Sequence, residues 1–220
     1  MGRFRQVGAM YNPPAFREDR PEILHALIRQ ARLALLLSNG SGGVPDVTHL
    51  PLTLDAEAGV LIGHMARANP HWQALREAGR AIAVFRGAEA YVSPNWYPSK
   101  AEHHRVVPTW NYEAVHAEGP VEIIEEAARL HAIVSALTAE KEAVQPRPWA
   151  VTDAPADFIA SQLKGIVGLV LRIERLTGKR KLSQNRAEPD RAGAVAGLAA
   201  SEDPRDRATA AAMRSVVEGR

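Results

Sequence analysis

The chain has 220 residues, 27 basic and 25 acidic side chains, a formal net charge of +2 and no cysteine. Its length suits one domain or a domain with a small appendage, and a 46% hydrophobic fraction is ample for one buried core. The near-balance of charge argues against a surface dominated by nucleic acid, and the missing cysteines exclude disulfides, thiolate metal sites and a cysteine nucleophile.

The opening MGRFRQVGAM carries arginines but no apolar core, so no signal peptide is expected; residues 1–9 read as a disordered extension, with Met10 as a functional start. No apolar run reaches bilayer length, and LALLLS at 33–38 is strand-sized, which points to a cytoplasmic chain without a membrane partner. A helix is expected at about 20–31, with Asp19 and Glu22 at its start and Ile23, Leu24, Leu27 and Ile28 on one stripe. LALLLS and VPDVTHLPLTL flank the Gly-rich NGSGG as a hairpin, and DAEAG at 55–59 turns into the strand VLIGH at 60–64. NPHWQALREAG at 69–79 reads as a helix with Asn69 as cap, Pro70 in the first turn and Gly79 at the end. AIAVFRG at 81–87 and AEAYVS at 88–93 are expected as a strand pair, and AVHAEGPVEIIE at 114–125 as a strand bulged or bent at Gly119-Pro120.

A helix over about 125–138 carries Leu130, Ile133, Val134 and Leu137 at helical spacing, and APADFIASQL is a short helix started by Asp153 or Asp157. IVGLVLRIERL at 166–176 alternates like a single strand, and helices are expected at 188–200 and 204–217. The sum is an α+β protein with six or seven antiparallel strands forming a barrel, without GxGxxG, P-loop or repeat.

Chemistry concentrates in 91–116, which holds five of the twelve aromatic residues (Tyr91, Trp96, Tyr97, Trp110 and Tyr112) together with His103, His104 and His116. Such rings suit a planar cofactor or a subunit interface, or else a Pro-kinked hydrophobic corner. At 60–72 a strand turns into a helix and brings His64 and Arg67 to its positive end, where Arg67 either binds a phosphate or is solvated. His49, on the strand ending in THLP, faces a ligand or is a structural histidine. The adjacent His103-His104 pair lacks the spacing of a metal site, and Ser93 and Ser99 lack a nucleophile elbow. No metal is expected, and no catalytic residue is assigned. GKRKLSQNR at 178–186 is a local basic cluster that reads as a phosphate site or a solvated turn.

These motifs together resemble the PaiB-type proteins, the FMN-binding negative transcriptional regulators. The matching segments are MYNPPAF at 10–16, THLP at 48–51, GHMARANPHW at 63–72, AYVSPNWYPSK at 90–100, VVPTWNYEAVHAEG at 106–119, PWAVTDAP at 148–155 and GKRKLSQNR at 178–186. The resemblance implies a split β-barrel of the flavin-reductase and pyridoxamine-phosphate-oxidase type with peripheral helices, a homodimer with FMN at its interface. It divides the chain into an extension at 1–9, a split-barrel domain at 10–186 and a helical extension at 187–220. The implied cofactor residues are His49 and Leu50 beside the ring and His64, Arg67, Ala68 and Asn69 near the phosphate. Trp110, Asn111 and Tyr112 would form a wall, joined by Lys181, Gln184 and Asn185. The implied activity is flavin-dependent redox sensing or regulation. The alternative is a flavin- or haem-dependent oxidoreductase acting on a small molecule, with His49, His64, His103, His104 or His116 as an axial ligand. DNA, reached through the regulatory role, rests on the 179–186 cluster and the arginines of the C-terminal tail, and no helix-turn-helix signature supports it.

Overall fold

Alternation over short apolar runs buries one face of Ala34–Ser38, Val60–Ala66 and most of Thr109–Ile124, whereas Ile166–Arg172 buries successive residues on both faces. In the computed structural model, which describes residues 10–40 and 43–218, the strands are β1 (Arg17–Glu18), β2 (Ala34–Ser38), β3 (Asp46–Leu50), β4 (Thr53–Asp55), β5 (Val60–Ala66), β6 (Arg80–Val92), β7 (Thr109–Ile124), β8 (Ile166–Arg172) and β9 (Arg175–Lys181). Their order is β3-β2-β6-β7-β8-β5-β4, and β9 pairs with both β1 and β7. The helices are α1 (Pro21–Gln30), α2 (His71–Ala78), α3 (Ser99–His103), α4 (Ala127–Glu142), α5 (Ala156–Leu163), α6 (Glu188–Ala199) and α7 (Pro204–Glu218). Residues 1–9, expected as an extension, lie outside the described residues.

The expected hairpins form as antiparallel pairs. Leu35 faces His49 across β2 and β3, and Leu54 faces Leu61 across β4 and β5. Gly59, at φ +67°, supplies the left-handed residue that the β4–β5 turn requires. Gly79, at φ +65°, closes α2, its N–H donating to the Leu75 carbonyl.

Two strand readings are corrected. Residues 81–93 are not a strand pair: β6 runs unbroken through Gly87. Gly87 is there for space, since a Cβ would lie 2.8 Å from the Glu113 Cβ. Residues 166–176 are not one strand: β8 ends at Arg172 and β9 starts at Arg175, so the first half of the basic cluster is strand. The aromatic segment is also more regular than expected, for β7 already begins at Thr109 and runs through Gly119-Pro120 to Ile124. The Glu174 N–H donates to the Glu118 carbonyl, in step with the Val121–Leu171 pairing, so no residue is inserted there. A Cβ on Gly119 would lie 1.9 Å from the Arg172 carbonyl oxygen, and backbone cannot yield that space.

The chain divides into two compact units. Unit 1 comprises 1–27, 86–115 and 177–220; unit 2 comprises 28–85 and 116–176. The core of unit 1 is Ala90, Val92, Tyr97, Leu182, Ala194, Leu198, Ala210, Met213 and Val216. Here α6 presses its glycines on Trp96: a Cβ on Gly197 would lie 2.3 Å from the indole ring. In unit 2, Leu130, Ile133 and Leu137 of α4 pack with Ile124 and Leu163, and Val167, Leu169 and Leu171 of β8 are fully buried.

Gly119→Ala should lower the unfolding free energy by about 2 kcal/mol or more, as forced overpacking against fixed atoms does. Urea unfolding monitored by circular dichroism measures this, and an unchanged midpoint would mean that β7 can move away from Arg172.

Candidate functional site

The motif residues meet in two pairs, one in each unit. In unit 2 the segments holding THLP and GHMARANP lie against each other at Gly63, where a Cβ would lie 2.9 Å from the Pro51 carbonyl oxygen. The Asn69 amide donates to the Thr48 hydroxyl at 3.0 Å, while its side-chain oxygen accepts the His71 N–H, also at 3.0 Å. Asn69 therefore caps α2, as its position suggests, and also ties the helix to β3.

His71 extends this link. Its ring contacts the Ser38 hydroxyl through Nε2 at 3.1 Å and the Thr48 hydroxyl through Nδ1 at 2.7 Å. Burial pushes its pKa down from the ordinary 6.5, and the Asp46 charge pulls weakly the other way. Sequence reading left His71 out, because nothing about a histidine in the first turn of a helix marks it as buried.

The partly exposed Arg67 side chain is tied to nearby carbonyls and a carboxylate rather than left wholly to solvent. Nε donates to the Lys164 carbonyl at 3.0 Å, Nη2 donates to the Ile166 carbonyl at 3.2 Å, and Nη1 lies 3.5 Å from a Glu125 carboxylate oxygen. A guanidinium has five N–H donors, so two remain for an anion. His64 is half-buried, its Nδ1 has no hydrogen-bond partner, and desolvation lowers its pKa. Ala68 is exposed, and Leu50 is buried. His49 is exposed on β3, which ends the strand order and leaves backbone N–H and C=O groups along one edge.

In unit 1, β7 and β9 bring VVPTWNYE onto GKRKLSQNR. The Lys181 ammonium donates to the Thr109 hydroxyl and to the Trp110 carbonyl, the latter at 2.6 Å, leaving one of its three donors. Its pKa is lowered by desolvation first, then by Lys179 and Arg186. Asn111 is fully buried, and its amide donates to the Ser183 hydroxyl at 3.0 Å. The Gln184 side chain accepts from the Leu182 N–H and donates to the Arg180 carbonyl, so its polar atoms hold the turn after β9. Asn185 is exposed in that turn, and Tyr112 lies under the Lys179 ammonium at 5.3 Å.

The basic cluster is not a solvated turn. Lys179 and Arg180 are both buried, and Arg180 Nε donates to Glu113 at 2.6 Å while Nη1 lies 3.7 Å from Glu18. Glu113 was legible in principle: Asn111, Glu113, Val115 and Ala117 alternate onto the buried face, and an inward carboxylate needs a cation.

The aromatic cluster divides. Trp96 and Tyr97 pack in or against the unit 1 core, whereas Tyr91 and Trp110 stay half-exposed with ring centroids 6.3 Å apart. Ser93 accepts the Asn95 N–H, and Ser99 is bound to the buried Asp190 carboxylate. His103 accepts the Arg105 N–H. Among the described residues, no group of three or more histidine and acidic side chains could hold a metal ion.

Taken separately, each unit has groups that fit part of a flavin mononucleotide in kind: unit 2 has spare Arg67 donors, a His64 nitrogen unpartnered among the described residues and the edge of β3, and unit 1 has one spare Lys181 donor and half-exposed rings. Because the unfolded histidine takes up protons that buried His71 resists, its contribution to stability is complete above about pH 6.5 and is lost on acidification below that value. Unfolding free energies between pH 7.5 and 5 should therefore fall, and His71→Asn should make the slope shallower. An identical slope in the variant would remove His71 from the account.

Comparison with known proteins gives the same picture. The family described as "Putative FMN-binding domain" matches residues 10–175. The protease synthase and sporulation protein PAI 2 of Bacillus subtilis is 30% identical over 207 residues, covering 93% of this chain and 96% of that protein. An uncharacterized protein of Aspergillus fumigatus is 34% identical over 219 residues, covering 83% and 84%. Two solved structures share the fold. A FAD and heme binding protein from Mycobacterium smegmatis has TM-score 0.54 at 19% identity, covering 80% of this chain and 78% of that one. A conserved hypothetical protein from Mycobacterium tuberculosis has TM-score 0.57 at 14% identity, covering 81% and 95%. With an antiparallel split barrel and a match over most of its length, the chain belongs to this FMN-binding family, alongside the PAI 2 protein of Bacillus subtilis.

Proposed function

We propose that the chain is a homodimeric flavoprotein that holds FMN and works in redox sensing or regulation. The observation that carries this reading is the pairwise meeting of the motif segments, each pair keeping hydrogen-bond capacity unused by the protein. On this reading residues 10–186 carry the cofactor and 187–220 form a helical extension, in a cytoplasmic protein. Among the described residues, no helix is long and apolar enough to cross a membrane.

In unit 2, Arg67 would attract the phosphate and the edge of β3 at His49 and Leu50 would offer backbone groups to the ring; in unit 1, Lys181 would add a positive charge, and Trp110 and Tyr112 would be the wall that a second copy contributes. Asn69 would hold the Arg67 turn against β3; Asn111 and Gln184 would hold the strand ends that present Trp110 and Lys181. Bound FMN would supply the electron transfer, with reduction of a small molecule as the minimal chemistry. Half-exposed Tyr91 and Trp110 support a second copy as partner. Regulation through a ligand or partner is favoured over gripping DNA, since Lys179 and Arg180 are buried and Arg180 is held by carboxylates.

An absorbance spectrum after incubation with FMN and desalting should retain two flavin bands. Arg67→Ala and Lys181→Ala should each weaken FMN binding about fivefold or more, by loss of a charge-assisted contact. Unchanged titration curves would remove those residues from the site. A Soret band that vanishes in His49→Ala would transfer the proposal to haem, as in the oxidoreductase alternative.

A further inference from the structure

The family match ends at residue 175, and the α6–α7 pair lies beyond it in unit 1. A cleft of about 440 Å³ opens along this pair, lined by Glu188, Arg191, Ala192, Val195, Ala196 and Arg214, with Met213 behind them. That volume falls within the range of small-molecule sites, roughly 300–1,000 Å³.

The helices leave this space for a local reason. On α6, Ala194 and Leu198 enter the core, and Gly193 and Gly197 press on Trp96. The remaining stripe, 188, 191, 192 and 195, repeats at i, i+3, i+4 and i+7. Its charges lie at 188 and 191, and Ala192 and Val195, with Ala196 beside them, are small or apolar. Two alanines there leave a trough that larger residues would fill.

Charge selects the occupant. Arg191 and Arg214 have no ion-pair or side-chain hydrogen-bond partner among the described residues. Against them stands one carboxylate in the lining, Glu188. An apolar floor beside two free guanidiniums fits a molecule with an apolar body and a single anionic head.

We propose that the α6–α7 cleft binds a small apolar acid, such as a medium-chain or aromatic carboxylate, at a site separate from the flavin motifs. Its occupancy is independent of FMN, so its test stands whether or not flavin binds.

The probe is the anionic fluorophore 8-anilinonaphthalene-1-sulfonate, titrated into the folded full chain and competed with octanoate or octylamine. The expected result is one saturable site per chain, displaced by octanoate and not by octylamine. The Arg191→Gln/Arg214→Gln double variant should weaken octanoate about tenfold, the scale of two partly exposed ion pairs. Ala196→Trp should fill the trough and abolish binding, while both variants keep the wild-type circular dichroism and melting midpoint. Should Ala196→Trp misfold, the exposed arginine pair still decides the matter. Equal displacement by octylamine, unchanged octanoate affinity in the double variant, or probe binding that appears only on dissociation of a dimer covering the cleft would each overturn the proposal.

Discussion

The arginine at position 180 governs much of unit 1. Its buried guanidinium binds Glu113 on β7, donates to Ser215 on α7 at 2.9 Å and lies near Glu18 on β1. Taking a guanidinium out of water is unfavourable by several kcal/mol unless carboxylates and hydroxyls replace the lost solvation. Three elements distant in sequence are thus held to one cation, and the Asn111–Ser183 and Lys181–Thr109 contacts lie on the two strands that meet there. Glu18 is further clasped by Arg20, whose hydrogen bond is the main cause of its lowered pKa.

Unit 2 is organised by a different constraint, close backbone approach. Gly63 lets the segment after β3 pass over β5, and Gly119 lets β7 meet the carbonyl of Arg172. Polar side chains also join β2, β3 and the start of α2, through Ser38, His71, Thr48 and Asn69. Such a joint is directional, so it orients the strand that would face a flavin. Its neutral imidazole is favoured by burial, which couples this orientation to pH.

The motif pairs of the two units, each taken by itself, share a design. In each, one motif contributes a residue whose side chain fixes the other motif: Asn69 for THLP, Asn111 for the turn after β9. Among the positions most recognisable in the sequence, Arg67 and Lys181 hold backbone carbonyls and still keep donors to spare, and His64 keeps a ring nitrogen unpartnered among the described residues.

Local physics made much of the fold legible. Period-two apolar runs, glycines at turns and the Asn-Pro start of α2 are decided within a few residues, so β2, β3, β5, α1, α2 and α4 could be read directly. The motifs in 48–51, 63–72, 106–119 and 178–186 carried the resemblance to the family, and the resemblance implied the flavin. Tertiary structure alone decided that residues 81–93 form one strand, because close packing of Gly87 on Glu113 is invisible to local pattern. It alone decided that the basic cluster is interior, since a charge is buried only when its partners arrive from elsewhere in the chain. The same holds for the aromatic segment, where Trp96 is received by Gly193 and Gly197 of α6 while Tyr91 and Trp110 stay half-exposed.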